Sequence, residues 1–163
     1  MPKWWEAACR MAFEIYEQNF EEETIIVLGI SERGGFIAER LVKLLAEISP
    51  LQIRYASVEM DQEVRQGRGG LMKASFSETP DFFEGRPVVV VDDVLYSGNT
   101  LPNVIAPLLS FNPQKIQTAI LIDRGHRSMP IFSNIVGIQL ATTLQDHDAE
   151  ADAEKGKAEA WLV

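Results

Sequence analysis

Residues 86–102 read Arg-Pro-Val-Val-Val-Val-Asp-Asp-Val-Leu-Tyr-Ser-Gly-Asn-Thr-Leu-Pro. Val88 to Val91 form an uninterrupted β-branched run, which suits a central parallel strand covered on both faces better than a strand with one wet face. Asp92 and Asp93 then fall at the carboxyl end of that strand, the edge of an open α/β sheet where ligands bind in a crevice. Two buried carboxylates without partners are costly, and a sugar diol or a metal-bound polyphosphate would satisfy them. Because successive strand side chains point to opposite faces, the two acids converge only if the backbone turns at Asp93. Beyond them Ser97, Gly98, Asn99 and Thr100 supply hydroxyls, a flexible backbone point and N–H groups ahead of a helix that Pro102 helps to start, the makings of an anion cup. A Walker A loop is excluded because no Lys follows Gly98 before Thr100. A dinucleotide fingerprint is excluded because Gly98 lacks companion glycines at the required offsets.

Working outward, the chain alternates helix and strand. Trp4, Ala8, Met11, Ala12, Ile15 and Tyr16 recur at helical spacing and predict an amphipathic helix over 3–19. Thr24 to Gly29 is a second continuous apolar strand, ended by a loop at Ser31-Glu32-Arg33-Gly34-Gly35, after which Ile37, Leu41, Leu44, Leu45 and Ile48 mark another helix. In that loop the Arg and the glycines bring one guanidinium and backbone N–H groups to a single anion. A strand over 51–58 precedes a long polar, glycine-bearing loop over 59–85. After the central motif come a helix to about Ser110, a strand from Ile116 to Asp123 and a weaker one from Ile135 to Ala141. The acidic run from Asp146 to Glu154, with His147 inside it, reads as a solvated loop, and Ala158 to Val163 as a closing edge strand. The alternation predicts an α/β fold, a doubly wound and mostly parallel sheet with helices on both faces, as one domain over 1–163.

Composition narrows the function classes. The 163 residues suffice for one well-buried core, and the single Cys9 cannot form an internal bridge, so Cys9 is expected in the core and a reducing, cytoplasmic setting is expected. No apolar stretch approaches the ~20 residues of a membrane span. A formal net charge of −9 argues against general affinity for nucleic acid or anionic membranes, so phosphates must be met by local devices.

The run from Asp92 to Thr100 resembles the phosphoribosyl pyrophosphate (PRPP) motif of the type I phosphoribosyltransferases, two acids followed by a Thr/Ser-Gly-x-Thr loop. The Gly29-to-Gly35 segment looks like that family's pyrophosphate loop. Leu121-Ile122-Asp123-Arg124-Gly125-His126-Arg127-Ser128-Met129-Pro130-Ile131, with Asn134 to Gly137 and Val94-Leu95-Tyr96, is most similar to the pyrimidine operon attenuator/uracil phosphoribosyltransferase branch. The resemblance is strongest at 24–45, 86–104 and 116–138. It implies a fold with a small hood and an enzyme that joins the ribose 5-phosphate of PRPP to a nucleobase, uracil in the branch it most resembles, with a UMP-like product. It implies Asp92 and Asp93 on the ribose hydroxyls, directly or through metal-bound water, with Mg²⁺ as cofactor and Arg33 on the pyrophosphate. It further implies Tyr96, Ser97, Gly98, Asn99 and Thr100 around the 5-phosphate, Ser31, Glu32, Arg33 and Gly34 around the pyrophosphate, and Asp123, Arg124, His126 and Ile131 around the base. A homodimer is implied by the same family.

Two departures from the pattern are visible. The attenuator branch commonly carries a Lys near Ser31 and a Tyr-Arg-Asp-Asp run after the second strand, where this chain has Val58-Glu59-Met60-Asp61. Arg65, Arg68 and Lys73 are then the cations left to close over a pyrophosphate. The branch's RNA-binding face is basic, whereas this chain is acidic, which argues against an RNA partner. The alternatives that stay open are a transferase for a purine or orotate, and a non-catalytic, nucleotide-sensing RNA attenuator.

Overall fold

The computed structural model describes residues 2–61, 73–95, 100–125 and 131–140. In chain order these form α1 (Lys3–Asn19), β1 (Thr24–Ile30), α2 (Ser31–Ile48), β2 (Gln52–Asp61), β3 (Lys73–Phe76), α3 (Pro80–Phe83), β4 (Pro87–Leu95), α4 (Thr100–Leu109), β5 (Lys115–Asp123) and β6 (Ile135–Gln139). One sheet runs in the order β3-β2-β1-β4-β5-β6, parallel throughout except that β3 is antiparallel to β2. The doubly wound architecture read from the sequence is the observed one.

The apolar runs explain the layering. β1 and β4 lie side by side at mid-sheet, with Ile26 opposite Val88 and Leu28 opposite Val90. Val27, Val89 and Val91 pack on one face with Trp4, Ala8, Met11 and Ile15 of α1 and Ile37, Leu41 and Leu45 of α2. Ile26, Leu28, Val88 and Val90 pack on the other with Phe83 of α3 and Leu101, Val104 and Leu108 of α4. Every residue from Val88 to Val91 is therefore buried, which is why the run carries no polar alternation. The direction in which the sheet is built reverses between the parallel strands β1 and β4, since β1 leads on to β2 at one side and β4 to β5 at the other. That switch point leaves a crevice at the carboxyl ends of β1 and β4.

Two expectations are corrected. Residues 31–35 do not form a loop, because α2 starts at Ser31 directly after β1. The glycines there serve packing: a Cβ on Gly29 would lie 2.7 Å from Cα of Gly35, and one on Gly34 would lie 2.8 Å from the Val91 carbonyl oxygen. Residues 59–85 are not one long loop either, since β2 runs on to Asp61 and β3 and α3 follow. Phe76, Phe82 and Phe83 hold this region to Phe111, with ring centroids 5.1 to 5.8 Å apart, contacts that a polar average conceals. Cys9 is half-buried and packs against the core, in keeping with the expectation. The acidic run and the expected strand over 158–163 lie outside the described residues.

Candidate active site

The crevice at the switch point collects the first two sequence motifs. Asp92 and Asp93 end the buried part of β4, and α2 begins beside them. Strand alternation alone would send the two acids to opposite faces. The alternation fails here: Val89, Val91 and Val94 all pack toward α1 and α2, while Leu95 packs with Val88 and Val90. The backbone has turned between Val91 and Val94, as convergence of the acids requires. The Asp93 N–H donates to Asp92 Oδ1 at 2.8 Å, and Arg33 Nη1 lies 3.4 Å from Asp93 Oδ2. Arg33 is 42% exposed and Asp93 14%, so the pair closes the crevice from its solvent side.

This close juxtaposition sets the electrostatics. Burial pushes the Asp92 carboxyl well above the usual carboxylate range, and the charge of Asp93 pushes it the same way. Arg33 pulls in the opposite direction without cancelling them. A pair of carboxylates held this way is an acceptor site for hydroxyl hydrogens or for a cation with few protein ligands. Among the described residues no cluster of three or more metal-ligating side chains occurs, so any cation here would rely on these two acids, water and its own ligand.

The start of α2 supplies the opposite polarity. Ser31 adopts a left-handed φ of +56°, sparsely populated for a residue with a side chain. Ile30 precedes it at the cap position and offers no side-chain hydrogen bond to the first-turn amides. The N–H groups of an 18-residue helix thus open onto the crevice with their partial positive charge. Glu32 is exposed and Gly34 is buried against β4, so the side-chain contribution of this segment is Arg33. Gly34 is explained by proximity, because a Cβ there would stand 3.2 Å from both Cα and Oδ1 of Asp92.

Among its described residues, the third motif is tied to the same edge through Arg124. The Arg124 N–H donates to the Leu95 carbonyl at 3.1 Å, joining the end of β5 to the end of β4. Asp123 and Arg124 are both buried, and Asp123 Oδ1 accepts from the Gly125 N–H at 2.9 Å, where Gly125 turns at φ +77°. The Asp123 carboxylate is thereby committed to shaping its own turn. Ile131 is not brought to this place. It lies near the opposite, amino-terminal edge of the sheet, lining a shallow cleft of about 520 Å³ with Ile105, Leu109, Ile116, Thr118 and Phe132. Thr100 begins α4 at the crevice edge of the sheet; Tyr96, Ser97, Gly98, Asn99, His126, Arg65, Arg68 and His147 lie outside the described residues. Lys73 starts β3, opposite Asp61 in the register.

One contributor, Tyr55, escaped the sequence reading, and Gly29 serves packing where an anion loop was expected. Gly29 lets α2 settle against β1, and Tyr55 of β2 holds its hydroxyl where a Cβ on Gly35 would be 3.1 Å away. Burial raises the Tyr55 pKa, with Glu39 and then Glu59 adding to it. Only the alternation of β2 hinted at Tyr55, and no pattern within one segment could have revealed the Gly29 contact.

Comparison with known proteins gives a consistent picture. The family profile described as phosphoribosyl transferase domain matches residues 2–151. The chain is 33% identical over 160 residues to the bifunctional protein PyrR of Geobacter sp. (strain M21), covering 96% of this chain and 90% of that one. It is 35% identical over 141 residues to the bifunctional protein PyrR of Brevibacillus brevis, covering 83% and 78%. Among solved structures, the hypoxanthine phosphoribosyl transferase of Trypanosoma cruzi superposes with a TM-score of 0.76 at 14% identity, over 86% of this chain and 75% of that one, a likeness of fold.

Proposed function

This chain belongs to the phosphoribosyl transferase domain family, and from that premise we propose that it transfers the ribose 5-phosphate of PRPP to uracil, releasing pyrophosphate. The observation that carries the reading is the meeting of Asp92, Asp93 and Arg33 at the uncapped start of α2. Breaking the bond from ribose C1 to the pyrophosphate oxygen, while a ring nitrogen of the base bonds to C1 and gives up its hydrogen as a proton to solvent or to the leaving pyrophosphate, builds positive charge on the sugar and negative charge on the leaving group. A site for this reaction needs carboxylates beside the sugar and cationic or amide groups beside the pyrophosphate. Asp92 and Asp93 take the ribose hydroxyls, and Arg33 with the first-turn amides of α2 takes the pyrophosphate. Asp93 lies against Arg33, so a pyrophosphate and the Asp93 carboxylate compete for the same guanidinium. Mg²⁺ arriving with PRPP would neutralise the leaving group, and the two acids, directly or through water, are the residues fitted to hold it. The 5-phosphate falls to the segment from Tyr96 to Thr100.

Uracil is supported by the similarity of residues 121–131 to the uracil branch and by the PyrR relatives. Arg124 and His126, which follow the β4–β5 tie, are the residues assigned to the base, with Ile131 set aside because of its position. The deciding experiment follows pyrophosphate release from PRPP and Mg²⁺ with uracil, orotate, hypoxanthine, guanine and adenine in parallel. Uracil as the preferred acceptor is the expected result; turnover with a purine instead would overturn the uracil assignment and keep the transferase.

A further inference from the structure

The first turn of α2 carries a charge of the wrong sign for the ligand assigned to it. Glu32 occupies its second position, exposed to solvent and immediately before Arg33. Among the described residues its carboxylate has no cationic partner, since the neighbouring guanidinium lies against Asp93 instead. The next cation of the helix, Arg40, stands eight residues on from Glu32, about 12 Å along the axis, over the ring of Phe36. Ile30 contributes no capping side chain, so the first-turn amides attract anions while the side chain beside them is itself an anion. Counting side chains alone, Glu32 and Asp93 against Arg33 leave the mouth of this subsite with one surplus negative charge, before Asp92 is added.

We infer that the Glu32 carboxylate repels pyrophosphate and sets its affinity low, so that the leaving group is released readily once the bond to the sugar has broken. The inference rests on the pyrophosphate reading of this turn; to the amides and the guanidinium that work for the ligand it adds one side chain that works against it. Its physical basis is proximity. A charge at the second helical position lies within one turn, about 5 Å along the axis, of every unpaired amide at the start of α2, inside the screening length of about 8 Å at physiological salt. At an exposed site such a repulsion weakens binding several-fold rather than by orders of magnitude. With no anion bound, the same carboxylate favours the helix, because an acid in the first turn complements the positive end of the dipole. Glu32 and pyrophosphate are therefore alternatives for one electrostatic position. The species most affected is the one that carries several negative charges, whereas an uncharged base is indifferent to Glu32.

Isothermal titration of the chelator-treated full chain with inorganic pyrophosphate at low salt should give dissociation constants that fall in the order wild type, Glu32→Gln, Glu32→Lys, with about three- to tenfold between the first two. That gap should shrink below about twofold near 1 M salt, where the screening length is about 3 Å. Glu39→Gln removes the same charge from an exposed position about 10 Å further along α2, and should change the affinity by less than about twofold. In turnover assays Glu32→Gln should lower KM for PRPP and the inhibition constant of pyrophosphate together, and leave KM for the base at its wild-type value. Arg33→Gln reports on the subsite itself and should weaken pyrophosphate binding at least about tenfold. Unaltered or weaker binding in Glu32→Gln, beside a weakened Arg33→Gln, would overturn this inference and leave the transferase reading standing, as would an equal gain in Glu39→Gln. No pyrophosphate binding by the wild-type chain, or binding that ignores Arg33→Gln, would overturn the reading of the subsite and this inference with it.

Discussion

The charged form of Asp92 is disfavoured by its surroundings, since burial and the neighbouring Asp93 both raise its affinity for a proton. The unfolded chain releases that proton near the ordinary aspartate value of about 3.9, and the folded chain releases it at higher pH. Between the two values the folded state binds more protons, so stability declines as pH rises through that window and stays lower above it. Asparagine at this position keeps an oxygen for the Asp93 N–H and has no such titration. Asp92→Asn should therefore raise the thermal midpoint of ligand-free, chelator-treated protein above neutral pH, with the gain vanishing toward about pH 4. A gain that ignores pH would show that the charge is not its cause. Catalysis should respond in the opposite sense: Asp92→Asn with Asp93→Asn is expected to lower turnover with PRPP at least about a hundredfold, or about 2.7 kcal/mol of barrier, in steady-state assays. The presence of both acids was plain in the sequence. Their convergence was not, because it depends on a break in strand alternation that no single residue type announces.

At the scale of elements, the decisive contact is between the first turn of α2 and β4. A methyl group on Gly34 would press on the Val91 carbonyl and the Asp92 backbone, neither of which can yield as a flexible side chain would. Gly34→Ala should lift the start of α2, and Arg33 with it, costing about 1–3 kcal/mol in urea unfolding and raising KM for PRPP. Wild-type stability and KM together would show that the approach is looser than described. Phe83, fully buried between Phe76, Phe82 and Phe111, anchors α3 and β3, and Phe83→Ala should cost about 3–5 kcal/mol. The sequence announced β1, β4 and α1 because each carries its own periodicity over many residues. It hid β3 and α3, which span four residues each and gain their order from a phenylalanine far along the chain. It also disguised the start of α2, since glycines that permit close packing look the same as glycines that permit a turn.

For the molecule as a whole, the order of the sheet is what turns separate motifs into one site. Alternation of helix and strand made a doubly wound, mostly parallel sheet legible but not the order of its strands, from which the switch point between β1 and β4 follows. What the linear pattern could not convey is which end of β5 each part of the third motif would reach, and Ile131 proved to be at the end away from the acids. Among the described residues no helix is long and apolar enough to cross a membrane. A formal charge of −9 means that contacts to a phosphate backbone must be made against a repulsive background. Filter retention with structured RNAs at physiological salt should accordingly show no sequence-dependent binding, and tight retention that weakens steeply with added salt would point to a basic face on this acidic protein.

The pairing of Ile26 with Val88 also has a bearing on how the protein is made. Its two central strands are translated far apart, with α2, β2, β3 and α3 between them. A nascent polypeptide emerging from the ribosome can assemble β1, α2 and β2 early, yet the pocket has only one wall until β4 has been synthesised and threaded beside β1. Affinity for a phosphorylated sugar should thus arrive abruptly, late in synthesis, and ribosome-stalled chains ending before residue 95 should have none.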